Sequence, residues 1–555
     1  MAKETSNKTS ETWDAVVIGS GAGGLTAALA LARAGQKVLV LEQHYLPGGW
    51  THSFSLEGYR FSPGVHYIGC LEEGGSVRNL YEGLGIGADL EFCELNPDGF
   101  DHFLIAGERF DQPKGLERWK ARLAARFPHE RDGIRRYFEV VEGIDRDVRR
   151  IDRLSSFPAA LTIPFRAPHL IRWGLRTLDA LLDTTIHDPR LRAVLSAQAG
   201  NHGLAPSRVS LPLHCSMSTH YFDGAWYPRG GAKRLSAAYI KALKRRGSHI
   251  RLRSPVTRIL VEHDRVVGVE VAGNYIVKAK TVVCNAQPAV VLGTLLESRF
   301  CERELKKVRK MRDSVGLLSI FCGVRGLDLS SMGFDSGNYW FYRHDDVNRI
   351  YERVEDRMPG EEIDGLFLTI TSLKDPGHGP PGTHTLEMFT FVPYEPFAGW
   401  EGTDTGGRDE RYDAFKRKLG AKMLRAAEEV VPTLRAHLDF VTIGTPLTND
   451  FYCRTHRGGI YGTAKTPWQV GPFSLSTTGP VDGLFFCGSS ILSHGVAGAS
   501  YSGLLAAQQV LGLERPEDCL GPPDGSIRLY PADAPETWLE GAAACPKPGR
   551  ESVWT

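Results

Sequence analysis

The stretch WDAVVIGSGAGGLTAALALARAGQKVLVLEQ, residues 13–43, contains the pattern that decides the fold. A short apolar run at 15–18 leads into a cluster of glycines, a helical pattern follows, and a second apolar run begins after Gly35. This order is typical of a strand, a tight turn, a helix and a second strand. The stretch therefore predicts a βαβ unit and an α/β fold of the Rossmann type.

The glycines of this stretch form the motif G-x-G-x-x-G directly between the predicted strand and the predicted helix, the context that makes the motif specific. Gly19 permits the tight turn, Gly21 lets the backbone approach a pyrophosphate at the helix N-terminus, and Gly24 lets helix and strand pack closely. The predicted pyrophosphate-binding residues are Gly19, Ser20, Gly21, Ala22, Gly23 and Gly24.

An acidic residue, Glu42, ends the second predicted strand and is followed by Gln43. A carboxylate at this position accepts hydrogen bonds from ribose hydroxyls and repels a 2′-phosphate, which argues against NADP. We therefore assign both residues to the cofactor site. The motif by itself leaves NAD and FAD open.

Two further groups of small residues favour FAD. Gly48 and Gly49 follow the βαβ unit closely and permit the backbone to approach a flat ring or a phosphate. Gly488 follows an apolar run, and a helix rich in small residues, including Gly498 and Ala499, begins shortly after it. The positive end of such a helix can stabilise negative charge on a flavin.

The chain has 555 residues, enough for two or three domains. Sequence patterns typical of a cofactor domain occur at the start, in the middle and near the end of the chain. We therefore predict a discontinuous cofactor domain with an inserted α+β substrate domain. The predicted segments are 13–91, 227–312 and 451–513 for the cofactor domain, 92–226 and 313–450 for the substrate domain, the latter with an antiparallel sheet, and 514–555 for a loosely packed tail.

Charge and cysteine patterns exclude several classes of protein. Lysine and arginine number 66 against 65 aspartates and glutamates, which argues against a nucleic-acid partner and against a highly charged disordered chain. The ten cysteines are scattered without a C-x-x-C pair, so we predict reduced thiols and no metal site. Without a recognisable signal peptide or apolar span, we expect a cytoplasmic protein.

Residues 157–183 combine apolar and basic side chains at helical spacing. Ile171, Leu175, Leu178 and Leu182 fall on one face of a predicted helix, with arginines on another. This composition fits a helix lying in a membrane interface, and it equally fits an amphipathic helix that covers the substrate domain. The first interpretation predicts peripheral membrane contact.

The chain resembles the FAD-dependent phytoene desaturase, carotenoid isomerase and retinol saturase group, whose fold is similar to that of the amine oxidases and the Rab GDP-dissociation inhibitors. The resemblance covers about residues 14–511, and GVHYIG together with GGIYG favours the retinol saturase branch. It implies an amine-oxidase type of FAD-binding domain, with adenine against the backbone of Val256 and Gly488 and Ser489 near the ribityl and phosphate groups. Ser489 and Ser62 stand where the group often has acids.

Candidate catalytic residues come from the stretch GVHYIG. The resemblance brings this stretch near the flavin, and His66 and Tyr67 are both able to donate a proton or to bind a substrate head group. Structural roles are equally compatible with the sequence. Tyr461 and His494 are secondary candidates.

The resemblance implies an enzyme that acts on double bonds of a long apolar isoprenoid or polyene by hydride transfer at flavin N5. Saturation is the leading reaction, with desaturation and cis/trans isomerisation as alternatives. Because only one dinucleotide motif is present, electrons must come from or go to an external partner. Two other hypotheses are a prenyl-lipid carrier without redox chemistry and an FAD amine oxidase.

Overall fold

The computed structural model describes residues 11–151, 166–273, 275–404 and 406–538. The described strands are β1 Glu11–Ile18, β2 Val38–Leu41, β3 Phe54–Leu56, β4 Tyr59–Phe61, β5 Glu91–Glu94, β6 Asp101–Ile105, β7 Glu108–Gln112, β8 Trp226–Pro228, β9 His249–Arg251, β10 Val256–Glu262, β11 Arg265–Val271, β12 Tyr275–Cys284, β13 Gly316–Arg325, β14 Asn338–Tyr342, β15 Gly365–Ile370, β16 Thr383–Val392, β17 Leu438–Gly444, β18 Leu484–Phe486 and β19 Arg528–Pro531.

The α-helices of the same residues are α1 Ala22–Arg33, α2 Ser76–Gly83, α3 Leu116–Arg126, α4 Arg131–Ile151, α5 Pro168–Trp173, α6 Leu178–Thr185, α7 Pro189–Ser196, α8 Leu211–His220, α9 Lys233–Arg245, α10 Pro288–Val290, α11 Glu302–Lys310, α12 Val347–Asp356, α13 Thr371–Lys374, α14 Glu410–Ala427, α15 Pro446–Cys453 and α16 Gly495–Leu511.

The first sheet is built from three distant pieces of the chain. Its strand order is β10-β11-β12-β1-β2-β9, and β18 also pairs with β12. Strands β12, β1, β2, β9 and β18 run parallel, whereas β10 and β11 form an antiparallel extension. The predicted βαβ unit is confirmed, since β1 and β2 are parallel neighbours joined by α1.

Helix α1 is buried between this sheet and α16. Every residue of α1 from Gly23 to Ala32 is buried. A Cβ atom at Gly503 would lie 2.0 Å from the carbonyl oxygen of Gly23, so the two helices touch through their backbones. Small residues therefore allow the last piece of the chain to pack onto the first.

The second sheet has the order β17-β13-β16-β15-β14-β6-β7. The stretches predicted as antiparallel strands between 313 and 450 do pair in this way, with β13 against β16 and β16 against β15. Strand β6, from the earlier segment 92–226, adds to this sheet parallel to β14. The sheet thus joins residues that the sequence shows only as separate segments.

The structure differs from the prediction of a loosely packed tail at 514–555. Residues 514–538 pack onto the body: β19 pairs in parallel with β5, and Ile527, Tyr530 and Trp538 are buried. These apolar side chains recur among the prolines and glycines, and they attach the segment to the third sheet, β19-β5-β8. The rest of the predicted tail, 539–555, lies outside the described residues.

The single amphipathic helix predicted at 157–183 is also wrong within the described part. Two short helices, α5 and α6, are separated by a turn, and the side chain of Thr177 caps α6. As a result Ile171 and Leu175 are 62% and 52% exposed, while Leu178 and Leu182 are buried. The predicted apolar face is therefore divided between surface and core. Residues 152–165 lie outside the described part of the chain.

We predict that Gly24→Ala destabilises the protein. A Cβ at position 24 would lie 2.1 Å from the carbonyl oxygen of Gly19, whereas a Cβ at Gly399 would meet nothing within 4 Å. Because the close neighbour is backbone, the clash should cost about 1–3 kcal/mol of unfolding free energy. Urea unfolding of both alanine variants measures this, and equal stability of the two would contradict the packing argument.

Candidate functional site

A cavity of about 370 Å³ lies where the two large sheets face each other. One end is lined by the glycine loop and its neighbours, and the other by aromatic residues of the second sheet. Most of the residues predicted from sequence line it: Gly19, Ser20, Gly21, Ala22, Glu42, Gln43, Gly48, Gly49, His66, Tyr67, Val256, Gly488, Ser489 and Ala499. The fold thus brings together positions that are up to 480 residues apart.

Three predicted cofactor residues, Gly23, Gly24 and Gly498, are not among the lining residues. A Cβ at Gly23 would lie 2.7 Å from the carbonyl oxygen of Ala499, and one at Gly498 would lie 2.6 Å from the Ser493 Cβ. Their small size therefore serves packing around the cavity, as expected for Gly24 but not for the other two.

Asn285 supports the glycine loop from below, and sequence analysis missed it. Its Oδ1 accepts a hydrogen bond of 3.0 Å from the backbone N–H of Gly24. Its amide nitrogen lies 2.6 Å from where a Cβ of Gly21 would be. Asn285 directly follows β12, so only the parallel pairing of β1 with β12 brings it to the loop. Local sequence contains no signal for this contact.

Glu42 holds the loop together. Its Oε2 accepts hydrogen bonds from the backbone N–H and the hydroxyl of Ser20, at 2.8 and 2.7 Å, and its Oε1 accepts one from the N–H of His44 at 2.9 Å. Carboxylate oxygens have further lone pairs, so the side chain can still bind a ribose hydroxyl. The adjacent Gln43 accepts a hydrogen bond from the guanidinium of Arg454 at 3.2 Å.

The opposite wall of this end is formed by the N-terminus of α16. Gly495, Val496 and Ala499 line the cavity there, next to the loop that contains Ser489. The buried ammonium of Lys465 donates a hydrogen bond to the carbonyl oxygen of Ser489 at 2.5 Å, and burial lowers the pKa of Lys465 to about 7. The positive end of α16 favours a bound anion near this wall.

The other end of the cavity is lined by aromatic side chains. The rings of Trp340 and Phe367 are 4.6 Å apart and nearly perpendicular, and the ring of His66 lies 4.6 Å from that of Phe389. Further lining residues are Tyr342, Tyr351 and Phe391. These residues come from β14, β15, β16 and α12, and they form a surface suited to an apolar ligand.

His66 lies in this aromatic part with an acid behind it. Its Nδ1 is 3.3 Å from Oε2 of Glu387, and both atoms are buried without a hydrogen bond. Burial lowers the pKa of His66, while the neighbouring carboxylate opposes this shift. Because Nδ1 faces Glu387, Nε2 is the ring nitrogen left to face the cavity.

Tyr67 is held by two partners. The amide of Asn201 donates to its hydroxyl oxygen at 2.8 Å, and the hydroxyl donates to Oδ2 of Asp101 at 3.3 Å. Burial raises the pKa of Tyr67 well above its usual value, so the phenol stays protonated. Its ring stacks on Tyr221 at 4.3 Å, which fixes its orientation.

A group of buried charged residues behind these two side chains was also missed. Asp101, Lys374 and Glu387 are fully buried. The ammonium of Lys374 donates to the carbonyl oxygen of His66 at 2.8 Å and to the side chain of Asn338. These residues are separated by up to 286 positions and lie on different strands and helices, so no local pattern predicts the group.

The secondary candidates Tyr461 and His494 are adjacent. Their rings are 4.6 Å apart, and Tyr461 lines the cavity while its hydroxyl donates to the carbonyl oxygen of Gly200 at 2.9 Å. Burial lowers the pKa of His494 to about 3, so its imidazole is neutral at physiological pH. Tyr461 therefore forms part of the cavity wall, and His494 lies behind it at the start of α16.

Comparison with known proteins defines the class. The model of the flavin containing amine oxidoreductase family matches residues 22–511. The chain therefore belongs to this family, and it is an FAD-dependent oxidoreductase. The glycine loop, the open carboxylate of Glu42 and the positive wall at α16 fit the pyrophosphate, the ribose and the electron-rich ring of this cofactor.

Two relatives and one solved structure are similar to this chain over about nine-tenths of its length. All-trans-retinol 13,14-reductase of Rattus norvegicus is 30% identical over 527 residues, which cover 90% of this chain and 86% of the rat protein. Chloroplastic prolycopene isomerase of Arabidopsis thaliana is 26% identical, over 91% of this chain and 84% of the plant protein. An oxidoreductase structure from Methanosarcina mazei, at 17% identity, has the same fold, with a TM-score of 0.61 over 90% of this chain and 100% of that one.

We predict that Asn285→Ala weakens both folding and flavin retention. The substitution leaves the N–H of Gly24 without its acceptor, which should cost about 1–3 kcal/mol in unfolding free energy. Asn79→Ala is the matched control, because its amide bonds Gly74 at the exposed surface. Urea unfolding of flavin-free protein and the FAD content of purified protein measure the two effects. Indistinguishable variants would refute a supporting role for Asn285.

Proposed function

We propose that the protein saturates a carbon–carbon double bond of a long apolar polyene with an isoprenoid skeleton. The similarity to a retinol reductase and to a prolycopene isomerase supports this substrate class. A reduced double bond gains two electrons and two hydrogens, one of which arrives as a proton that the protein has to supply.

One observation favours a polyene over an amine. The acids among the cavity-lining residues are Glu42, Glu362 and Asp364. Glu42 belongs to the glycine-loop end, and Asp364 forms an ion pair of 3.1 Å with Arg353. Glu362 is paired with Arg343, so the aromatic part beside His66 offers no unpaired lining carboxylate to an ammonium substrate, and its rings are suited to an apolar chain.

The prenyl-lipid carrier receives no support from the glycine-loop end, because a carrier has no need of a dinucleotide site. The loop at 19–24, Asn285 and Glu42 form a connected set of hydrogen bonds at this end. A colourless protein after purification with excess FAD would favour the carrier.

Within this proposal, each part of the FAD molecule is assigned to different cofactor-binding residues. Gly19, Ser20, Gly21 and Ala22 would hold the pyrophosphate, with Gly23 and Gly24 providing the packing beneath it. Glu42 and Gln43 would hold the ribose, Val256 the adenine, Gly48 and Gly49 the flavin edge, and Gly488, Ser489 and Ala499 the ribityl side, with Gly498 packing against Ser493 behind them. When bound, FAD supplies hydride chemistry to the aromatic part of the cavity.

His66 is the proton donor in this proposal. Its cavity-facing Nε2 is carried by a ring that Phe389 and Phe367 hold at 4.6 and 5.3 Å. A histidine with a carboxylate behind Nδ1 is oriented and able to carry a proton on the opposite nitrogen. Tyr67, whose hydroxyl is bonded to both Asn201 and Asp101, shapes the cavity wall beside it.

The substrate and direction can be tested by anaerobic mixing. Chemically reduced holoprotein is mixed with all-trans-retinol and with longer polyenes, and the products are analysed by mass. We expect reoxidation of the flavin and a product two mass units heavier in H₂O. When flavin reduction and reaction are both run in D₂O, the product should carry two solvent deuteriums, because the N5–H of reduced flavin exchanges with solvent. Reduction of the oxidised protein by the polyene would indicate desaturation, and isomer exchange without a mass change would indicate isomerisation; either result overturns the proposal.

We predict that His66→Gln lowers the rate of polyene reduction about 10²- to 10⁴-fold, because a glutamine cannot serve as the proton donor. Tyr67→Phe should lower it much less, because Tyr67 stays protonated and already donates to Asp101. Single-turnover stopped-flow spectroscopy of the flavin measures both variants. A larger loss in Tyr67→Phe than in His66→Gln would reverse the two roles.

We also propose peripheral contact with a membrane surface, from which an apolar substrate could enter. None of the described helices is long and apolar enough to cross a bilayer. Ile171 and Leu175 are exposed beside the exposed arginines 172 and 176. A backbone hydrogen bond joins this segment to Leu211. The preceding residue, Ser210, is hydrogen-bonded to the segment that leads to Trp468, and Trp468 is 64% exposed. Basic and large apolar side chains together favour an anionic lipid surface.

We predict that the double variant Ile171→Glu and Leu175→Glu loses flotation with anionic liposomes and keeps its flavin. Met332→Glu is the matched control, because Met332 is 41% exposed and lies in a separate turn. Co-flotation of protein with vesicles containing phosphatidylserine measures binding, and flavin absorbance measures cofactor content. Unchanged flotation of the double variant would refute contact through this segment.

A further inference from the structure

The buried ionisable groups behind His66 include two acids but only one lysine among the described residues. Oxygen atoms of Asp101 accept hydrogen bonds from Gln198, Asn338 and Trp340 at 2.7 to 3.0 Å, and Tyr67 adds a longer one. Four donors and no acceptor around a carboxyl group are the partners of an ionised carboxylate. Asp101 is therefore one buried negative charge.

Glu387 is the second buried acid. Its Oε1 accepts a hydrogen bond of 2.8 Å from the backbone N–H of Ser62, while its Oε2 has no hydrogen bond and faces Nδ1 of His66. The third buried group is Lys374: burial lowers its pKa to about 7, and the charges of Asp101 and Glu387 oppose this shift by favouring its ammonium form. With both acids ionised and Lys374 protonated, the three groups carry one net negative charge, which protonation of His66 would neutralise.

The ionisable groups around His66 are few among the described residues. Glu387 on β16 attracts the imidazolium, and Lys374 on α13 repels it. Asp101 and the more exposed Asp335 act on Lys374, and Tyr227 lies near Glu387 with its phenol kept protonated by burial. The adjacent Tyr67 is also protonated. The opposing effects on His66 therefore come from one acid and one base on different elements.

We infer that Glu387, Lys374 and Asp101 form a buried charge cluster that sets how readily His66 holds and releases its proton. The carboxylate of Glu387 favours the protonated form of His66. The ammonium of Lys374 disfavours that form, so that the proton can be transferred. These three are positioning residues: they act on His66 and do not line the cavity. The inference rests on the proposed function only in its use of the proton for polyene reduction.

The test is a pH titration of His66 in the flavin-loaded protein without substrate. Histidine Cε1–H signals are followed by NMR, and the signal of His66 is identified by its loss in His66→Gln. We expect Glu387→Gln to lower the midpoint for His66 by at least about one pH unit, because the attracting charge is removed. Lys374→Met should move the midpoint in the opposite direction, because the repelling charge is removed. Opposite shifts are not expected from general damage to the fold.

Two further variants keep the test decisive. Lys422→Met removes a different buried lysine, which bonds the carbonyl oxygen of Gly360, and it should leave the His66 midpoint within a few tenths of a pH unit. Asp101→Asn keeps the side-chain shape and removes a charge that favours the ammonium form of Lys374, so it should move the His66 midpoint in the same direction as Lys374→Met and replaces that variant if it fails to fold. Shifts in the same direction for Glu387→Gln and Lys374→Met, or none in Glu387→Gln and Asp101→Asn, would overturn the inference.

Activity then separates the two proposals. In the pH profile of polyene reduction, the limb assigned to His66 should move with the NMR midpoint in each variant. Expected midpoints without any polyene reduction by the wild-type protein would support the charge cluster and refute the proposed function. Polyene reduction with midpoints that do not respond to the variants would support the function and refute the cluster.

Discussion

The structure depends on close backbone contact at the glycine loop. Gly24 meets the carbonyl of Gly19, and Gly503 meets the carbonyl of Gly23, with no space for a side chain at either point. The amide of Asn285 bonds the same loop from the end of β12. Three pieces of chain from the beginning, middle and end therefore meet within a few ångströms. Without these contacts the parallel sheet would lack its covering helix and the cavity would lose its positive wall.

The second constraint is electrostatic. The aromatic part of the cavity is bordered by fully buried ionisable groups. Such groups persist in a core only when they compensate one another, which Asp101, Lys374 and Glu387 do in part. The remaining imbalance falls on His66, which borders the cavity. A site built from rigid strands can hold such an arrangement more accurately than one built on loops.

Whether a sequence prediction was confirmed depended on how far apart in the chain the interacting residues are. The βαβ unit and the glycine motif are local, and both were confirmed in β1, α1 and β2. The helix predicted at 157–183 was wrong because helical spacing cannot show that Thr177 caps a new helix after a turn. The loosely packed tail was wrong because its few apolar residues find a partner strand, β5, about 440 residues earlier. Domain boundaries stay a prediction, although β6 and β14 share one sheet.

Glycine spacing and strand-to-helix order within about thirty consecutive residues were enough to predict the class of fold and the dinucleotide end of the site. The flavin was predicted from the small residues at 48–49 and 488–499 and from the family resemblance. The sequence also singled out His66 and Tyr67, which do line the cavity. Only the tertiary structure decided what lies behind them. Glu387, Lys374 and Asp101 come from separate elements, and their interaction depends on sheet register and burial, which strengthen charge interactions that carry no signature in local sequence.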